Sequence, residues 1–408
     1  MITLFRHPLV VTQDEKRRVK RCNIIVENGL ITSVGDAEDK SGMVIEASGM
    51  IAMPGLINTH THVGMTEFRG KLDDMDLHQF LEKSFSLDAR RNEKGIRESA
   101  AAAISEMLSS GTTAFADLYY SEDVIEEECA KQGIRALLAW AVLDDELTTQ
   151  HGSPLSNAEH YARKKHAPLV MPAVGLQGVY ACSSHTCAGA VQLASSMDLR
   201  VHMHLCETRE EVNQHQKKYG MRPVRWLHEN GVLGRGLIAA HCVWLTREEM
   251  RLLATNGVSA SLCTRSNMKL SSGLANLGTM VAEKFPVAIG TDSATTSNNL
   301  DMFEEMRVLS LAQKMQGWDA SFPAAQYVLD MATIEGAEAV GIARECGSIK
   351  EGKSADIVLL DAKSRHFYPY DESSAVSHIV YSAQGSDVVK TMVCGRFVYE
   401  RMETETMA

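Results

Sequence analysis

Short apolar runs alternate with helical segments through the middle of the chain. Each run holds five to eight residues and is mostly apolar, which is typical of strands buried on both faces. Such alternation predicts βα repetition, and eight strands are the number that closes a (β/α)8 barrel of about 250 residues. An open doubly wound sheet has less support, because no GxGxxG follows the first run. The eight runs are residues 51–58, 112–118, 135–142, 169–176, 200–205, 237–241, 258–262 and 287–292.

The two ends of the chain have a different pattern, with short apolar strands separated by turn residues. Asn28-Gly29 separates two strands and is a strong hairpin signal. Near the other end, residues 355–361 form an apolar strand, and residues 390–400 read as a hairpin that turns at Cys394-Gly395. Both ends are therefore predicted to be β structure and to share one sheet.

Charge and cysteine content narrow the class of protein. The formal net charge of −11 argues against nucleic acid or an anionic membrane as a main partner, since both need a basic surface. No uncharged apolar stretch of about 18 residues occurs, so a membrane span is not expected. The nine cysteines are scattered without a CxxC pair, which favours free thiols and a reducing cytoplasm over a disulfide framework.

Polar residues that bind metals close four of the eight runs. In a barrel of this kind the carboxyl ends of the strands form the active site. Imidazole and carboxylate ligands around an open position are what a catalytic zinc ion needs, because the open position holds a water. A single buried histidine is more often a packing residue, but the presence of such residues at the ends of four predicted strands favours a metal site. The residues are His60 and His62, His202 and His204 with Glu207 three positions on, His241, and Asp292.

Five motifs in the same order resemble the amidohydrolase superfamily. They are PGLINTHTH, HLCET, AHC, SNMKL and GTDSATTSNN, and they are similar to the branch that deaminates adenosine-type nucleosides such as S-adenosylhomocysteine, methylthioadenosine and 5′-deoxyadenosine. The resemblance implies an α/β fold, a distorted (β/α)8 TIM barrel with a composite β-sandwich domain formed by both chain ends. The expected domains are residues 1–54 with 347–408 for the sandwich, and residues 55–346 for the barrel.

The resemblance also implies a metal centre and catalytic roles. The metal ligands carried over are His60, His62, His204 and Asp292. Relatives with two metals have a lysine at the end of the fourth strand, and its absence here implies one divalent ion, with zinc expected and iron or manganese open. The ion would supply a water of lowered pKa. Asp292 would move its proton, Glu207 would protonate the ring, and His241 would polarise the attacked centre. The implied activity is hydrolytic deamination of an amino-heterocycle with release of ammonia.

Expected substrate contacts depart from the pattern of that branch. Gln177 stands where relatives have a histidine, and Asp88 stands where they present a glutamate to the ribose hydroxyls. The segment after the seventh strand keeps Ser266, Asn267, Lys269 and Leu270 but loses the usual His-Asn-Pro. The stretch that follows Arg135, ALLAWAVLDDELTTQHGS, offers no cation for the carboxylate of an amino-acid tail, which favours a nucleoside without such a tail or another heterocycle.

Other functions remain open from the sequence. The same metal centre could act on a pterin, a guanine-like ring or a triazine, including dechlorination, or the barrel could be metal-free and non-catalytic. The cytidine deaminase type of zinc enzyme is not indicated, because HxE and PCxxC are absent. A homodimer or tetramer is expected by resemblance alone. His202 is expected to orient a metal ligand. Core positions are expected for Cys206, Cys242, Met302, Met306 and Met315.

Overall fold

A nearly closed ring of eight parallel strands forms the centre of the computed structural model, which describes residues 2–38, 41–75 and 77–402. Each strand pairs in parallel with the next along the chain. The predicted (β/α)8 barrel is therefore confirmed. Counting all strands from the N-terminus, the barrel strands are β8 Leu56–Thr61, β9 Thr112–Tyr119, β10 Arg135–Val142, β11 Val170–Leu176, β12 Arg200–Leu205, β13 Leu237–His241, β14 Ser259–Leu262 and β15 Val287–Ile289.

Hydrogen bonds from the first barrel strand to the last one and to the residues that follow it bring the two ends of the ring together. The Thr59 hydroxyl donates to the Ile289 carbonyl at 3.0 Å, and the Asp292 amide donates to the His60 carbonyl at 2.9 Å. The Asn58 amide group donates to the Thr291 hydroxyl at 2.7 Å. Closure therefore brings Asp292 beside His60, although 232 residues separate them in sequence.

The prediction that the first apolar run forms a single strand was wrong. Residues 51–58 are divided between β7, which ends at Pro54 in another sheet, and β8, which begins at Leu56 in the barrel. Gly55 lies at the division, where a Cβ atom would come within 2.0 Å of the Thr113 hydroxyl oxygen. The apolar pattern continues across the division because both strands are buried, so the sequence does not reveal the change of sheet.

Both chain ends contribute strands to one six-stranded sheet, as predicted. Its order is β18-β17-β16-β7-β2-β3, and a four-stranded sheet of order β5-β4-β1-β6 packs against it through a shared apolar cluster that includes Phe5, Ile24 and Leu359. The expected hairpins at Asn28-Gly29 and Cys394-Gly395 are present. These strands are β1 Ile2–Arg6, β2 Leu9–Val11, β3 Val19–Arg21, β4 Asn23–Glu27, β5 Leu30–Gly35, β6 Met43–Glu46, β7 Met50–Pro54, β16 Ile357–Asp361, β17 Val388–Val393 and β18 Arg396–Glu400.

Helices follow the barrel strands. Among the described residues, none is long and apolar enough to cross a membrane. They are α1 Leu77–Asp88, α2 Glu93–Ser109, α3 Glu122–Gln132, α4 Pro154–Ala162, α5 Ser184–Ser196, α6 Arg209–Tyr219, α7 Pro223–Glu229, α8 Arg247–Thr255, α9 Thr264–Lys269, α10 Leu277–Ala282, α11 Met302–Gly317, α12 Ala325–Met331, α13 Ile334–Val340 and α14 Ala375–Tyr381.

Core predictions from side-chain spacing were correct in four of five positions. Met302 and Met306 on α11 are fully buried, and so are Cys206 and Cys242. Met315 was wrong, since it is 68% exposed. It lies in the last turn of α11, where residues 315–317 are all exposed, so helical spacing alone overestimated the length of the buried face.

Candidate metal centre and pocket

Histidines from three strands and one aspartate meet at the carboxyl end of the barrel. His60 lies on β8 and His62 directly follows it, His204 lies on β12, His241 ends β13, and Asp292 follows β15. Two overlapping groups have possible ligand atoms within 4.8 Å of one another, namely His60, His62 and Asp292, and His60, His204 and His241. The four residues predicted as ligands are thus brought together, with His241 beside them.

Backbone carbonyls fix the orientation of two of the imidazoles. His62 Nδ1 donates to the carbonyl of Leu118, and His204 Nδ1 donates to that of Gln177 at 2.7 Å. A neutral imidazole has one N–H, so both Nε2 atoms present lone pairs. These two Nε2 atoms lie 3.1 Å apart. Two lone pairs at this distance repel each other unless a cation lies between them, so this pair fits a metal ion.

The remaining ligand atoms also fit one ion. His60 Nε2 is buried without a hydrogen-bond partner and lies 3.7 Å from Asp292 Oδ1, and His62 Nε2 is 3.4 Å from the same oxygen. Ligands that each lie about 2.0–2.2 Å from a zinc ion have separations of this size. Burial lowers the pKa of His60 and of His204 well below the usual value, which keeps both rings neutral and able to ligate.

Helix α9 supports two residues of the centre. The Ser266 hydroxyl donates to Asp292 Oδ2 at 2.6 Å, while the Ser293 amide donates to Oδ1 at 2.6 Å. The neighbouring Asn267 donates from its side-chain amide to His241 Nδ1 at 3.0 Å. Because Nδ1 of His241 accepts, its proton resides on Nε2, so this ring presents an N–H donor to the site instead of a lone pair.

Strained backbone accompanies these positions. His241 and Asp292 have φ values of 72° and 63°, in the left-handed region that non-glycine residues rarely occupy. Cys206 and Cys242 have φ of 51°. Each such conformation costs about 1–3 kcal/mol and concentrates at functional sites. The strand ends are therefore shaped to direct polar side chains toward the pocket.

Glu207 is a buried carboxyl group beside His241. Its Oε1 accepts from the Ser272 hydroxyl at 3.0 Å, and Oε2 lies 3.8 Å from His241 Nε2. Burial raises the pKa of this carboxyl group above its usual value, and the interaction with His241 and the Ser272 hydrogen bond only partly oppose that rise. Burial thus favours the protonated form of Glu207, which can donate a proton.

The Thr-x-x-Glu sequences at residues 208–211 and 246–249 each predict a capping box at the start of a helix, but the structure forms only one of them. Thr246 and Glu249 form a complete box at the start of α8. At α6 the Thr208 hydroxyl accepts from the Glu211 amide, but the Glu211 carboxylate does not return to the Thr208 amide, so the second box was wrong. It accepts instead from the amides of Cys206 and Glu207 at 3.1 and 2.8 Å. The departure holds the backbone of Glu207 in place.

A pocket of about 880 Å³, including the part open to solvent, lies above the cluster. Drug-sized ligands occupy pockets of roughly 300–1,000 Å³, so a nucleoside fits this space. His62, His204, Glu207, His241 and Asp292 form its floor. Apolar and aromatic side chains dominate the walls: Met65, Phe80, Leu81, Phe85, Leu118, Tyr119, Tyr120, Leu143 and Leu270.

Asp88 and Gln177 both line the pocket, away from the floor. Asp88 ends helix α1 and is 9% exposed; its carboxylate accepts from the hydroxyls of Tyr119 and Thr149, the latter at 3.0 Å. The Arg91 guanidinium lies 3.5 Å from it. The Gln177 side-chain amide donates to the Tyr180 hydroxyl at 3.1 Å, and the Gln177 backbone carbonyl accepts from His204 Nδ1.

Among the described residues, no lysine or arginine lines this pocket. Arg135 points elsewhere, because its guanidinium donates to Asp356 and Glu345 at 2.6 and 2.8 Å. This pair joins the start of β10 to the C-terminal segment. The pocket therefore has no fixed positive charge for a ligand carboxylate.

Several supporting residues were missed by sequence reasoning. Ser266 and Asn267 were recognised as retained motif positions without a role, Glu211 was expected only to cap a helix, and Ser272, Tyr119 and Thr149 were not singled out. Asp117 was also missed; it is fully buried and accepts from the Thr61 hydroxyl and Val63 amide on either side of His62, at 2.5 and 2.8 Å. A carboxylate inside an apolar strand, in the run TTAFADL, was the available signal.

Comparison with protein families gives one match over most of the chain. Residues 51–398 match the amidohydrolase family. A 5′-deoxyadenosine deaminase from Methanothermobacter thermautotrophicus is 36% identical over 400 residues, which covers 95% of this chain and 92% of that protein. A 5-methylthioadenosine/S-adenosylhomocysteine deaminase from Thermodesulfovibrio yellowstonii is 36% identical over 409 residues, covering 97% and 92%.

Solved structures share the whole architecture. An adenosine deaminase from Xanthomonas campestris with bound zinc superposes with a TM-score of 0.91 at 30% identity, covering 99% of this chain and 95% of that one. A triazine hydrolase from Arthrobacter aurescens gives a TM-score of 0.90 at 24% identity, with coverage of 98% and 95%. At that identity the second likeness concerns the fold alone.

Proposed function

Because this chain belongs to the amidohydrolase family, we propose that it is a metal-dependent deaminase of an adenosine-type nucleoside that carries no charged tail. It is a hydrolase of carbon–nitrogen bonds in cyclic amidines, and it replaces a ring amino group by oxygen with release of ammonia. The names of the similar deaminases support this activity.

One observation carries the proposal. A buried proton donor, Glu207, and an N–H donor, His241 Nε2, lie 3.8 Å apart on the same pocket floor as the ligand cluster. Deamination of an amidine needs a nucleophile at the carbon, a proton for the adjacent ring nitrogen, and stabilisation of the developing charge. Glu207 can supply the proton, His241 can stabilise the charge, and the ligand cluster can hold an ion that supplies the nucleophile.

His60, His62, His204 and Asp292 would hold the ion, for which we propose zinc on the basis of three imidazoles and one carboxylate. When bound, a divalent ion supplies a water of lowered pKa, near about 7 for zinc, as the nucleophile. Iron and manganese also accept such ligands. Restoring each metal separately to the apo-protein and measuring activity distinguishes them.

The protein's own groups then move the protons. Glu207 donates its carboxyl proton to the ring nitrogen next to the attacked carbon, which makes that carbon more electrophilic. Asp292 accepts the proton lost by the attacking water at the carboxylate edge facing His62, and later delivers it to the departing amino group. His241 donates its Nε2–H to the oxygen that becomes bound to the attacked carbon and stabilises the charge that develops there. As the bond to the amino group breaks, the proton left on that oxygen returns to Glu207, so water and substrate become the oxo product and ammonia.

The pocket walls support the choice of substrate class. A methyl, methylthio or unsubstituted 5′ carbon can contact the aromatic side chains of Phe80, Phe85 and Tyr120. The zwitterionic tail of S-adenosylhomocysteine would place a carboxylate in a pocket that offers no described cation, and an unpaired buried charge is costly. Nucleosides without the tail are therefore favoured.

The first test is ammonia release from a substrate panel. With metal-replete protein, we expect kcat/KM for 5′-deoxyadenosine and methylthioadenosine to exceed that for S-adenosylhomocysteine by at least about tenfold, because one uncompensated polar interaction costs more than 1 kcal/mol. Adenosine is the reference. Equal or better turnover of S-adenosylhomocysteine would contradict the tail argument, while turnover of guanine, pterins or triazines alone would contradict the nucleoside assignment.

A second test concerns Asp88 as the ribose contact. We expect Asp88→Ala to lower kcat/KM for 5′-deoxyadenosine about 10–100-fold, since hydrogen bonds to a charged group contribute about 1.5–3 kcal/mol. The matched control is 2′,3′,5′-trideoxyadenosine, which lacks the hydroxyls and should lose much less. An equal loss for both nucleosides would show that Asp88 shapes the pocket through Tyr119 and Thr149 and does not bind the sugar.

A further inference from the structure

His202 forms a hydrogen bond with one of the proposed ligands. It is fully buried on β12, two residues before His204, and its Nε2 lies 2.9 Å from Nδ1 of His60. The two imidazole planes are inclined at 76°, with centroids 4.9 Å apart. Strand alternation had placed His202 and His204 on one face, but the contact formed is with a residue of a different strand, β8.

The other two ligand imidazoles are held differently. His62 and His204 each donate Nδ1–H to a backbone carbonyl, which is always an acceptor. His60 Nδ1 instead faces a nitrogen that accepts only in one tautomer of the His202 ring. The outer support of His60 is therefore a side chain and can be removed by substitution, whereas the other two supports cannot.

The tautomers of the pair are linked. If His60 Nε2 is to bind a cation, its proton must lie on Nδ1 and be donated, which requires a lone pair on His202 Nε2 and the His202 proton on Nδ1. The opposite arrangement, with His202 donating to His60 Nδ1, places a proton on His60 Nε2 and excludes the cation. The His202 ring also interacts with the backbone of Asp117, although its Nδ1 has no hydrogen bond of normal geometry.

We propose that His202 is a positioning residue that accepts the Nδ1–H of His60 and thereby holds His60 Nε2 as a metal ligand. The inference rests on the proposed metal centre. Outer partners of ligating histidines set ring orientation and ligand basicity, and their loss weakens metal affinity about 10–100-fold. His202 does not line the pocket, and its side-chain hydrogen bond is with His60, so its effect on the site passes through His60.

The test is zinc affinity, measured by competition between apo-protein and a chromophoric chelator. We expect His202→Leu, which has no acceptor, to raise the zinc dissociation constant about 10–100-fold. His202→Gln, whose amide oxygen reaches about as far as Nε2, should retain most of the affinity. His202→Asn, whose amide is one bond shorter, should behave like the leucine variant. If the leucine variant does not fold, the difference in zinc affinity between His202→Gln and His202→Asn tests the proposal.

His215→Leu is the matched control. His215 is also buried and donates Nδ1–H to a carbonyl, that of Met221 at 3.0 Å, but it lies on α6 away from the cluster, so its substitution should leave zinc affinity unchanged. Unchanged affinity in both His202→Leu and His202→Asn would overturn the proposal, as would equal losses in the Gln and Asn variants. Failure of the wild-type protein to bind metal would instead reject the metal centre, so the two failures are distinguishable.

Discussion

Glu207→Gln is expected to lower kcat for nucleoside deamination by about 10²–10⁴-fold, the usual contribution of a positioned general acid. Glutamine keeps the size of the side chain and can still bond the Ser272 hydroxyl, but it has no carboxyl proton to give to the ring. The measurement is the steady-state rate of ammonia release at saturating substrate. KM should change much less than kcat, because the proton transfer contributes in the transition state.

The matched control for this variant is Glu210→Gln, which changes an exposed carboxylate in the first turn of α6 that accepts a hydrogen bond from the Gln214 side-chain amide. It should retain the wild-type rate. Metal content should also be equal in both variants, since Glu207 is not one of the proposed ligands. A Glu207→Gln enzyme with nearly full kcat would reject the assignment of the proton donor.

Removal of the metal by a chelator is expected to lower the deamination rate by at least about 10³-fold, because water without the ion has a pKa of about 15.7 in place of about 7. Restoring zinc, iron or manganese one at a time to the same apo-protein should restore activity. The ion that gives the highest kcat/KM and is retained at equimolar concentration identifies the preferred metal. Full activity in metal-free protein would contradict the proposed centre.

Stability provides an independent measurement of the same centre. An ion that binds the folded state and not the unfolded chain stabilises the protein by about 2.7 kcal/mol at a free concentration 100 times its Kd. The thermal midpoint of the apo-protein should therefore rise with added zinc. The Asp292→Ala variant should show a smaller rise, since one of the four proposed ligands is missing. An identical rise in that variant would place the ion elsewhere.

The fold could be predicted largely because its main signals are local. Runs buried on both faces, hairpin dipeptides and the β character of both chain ends each depend on neighbouring residues, and the barrel, the hairpins and the shared sheet all formed as expected. The division of residues 51–58 could not be predicted, because a change of sheet between two buried strands leaves the apolar pattern intact. The exposure of Met315 also depended on which helices pack against α11.

For the candidate site, the sequence by itself determined which side chains face one way at the end of a strand. His60 and His62 alternate with Thr61, so any β conformation directs both imidazoles to the same side. The strand ends likewise identified His204, His241 and Asp292 as residues that converge in a closed barrel. The prediction that these residues are functional rested on that convergence and on the resemblance of the motifs to the amidohydrolase superfamily.

Only the tertiary structure decided how each of those side chains is oriented and protonated. The carbonyls of Leu118 and Gln177, the amide of Asn267 and the ring of His202 contact their histidines across 26 to 142 positions of sequence. Each contact selects one tautomer, and so separates lone-pair ligands from the N–H donor His241. A sequence names the imidazoles, but the partner across the barrel determines which nitrogen carries the proton.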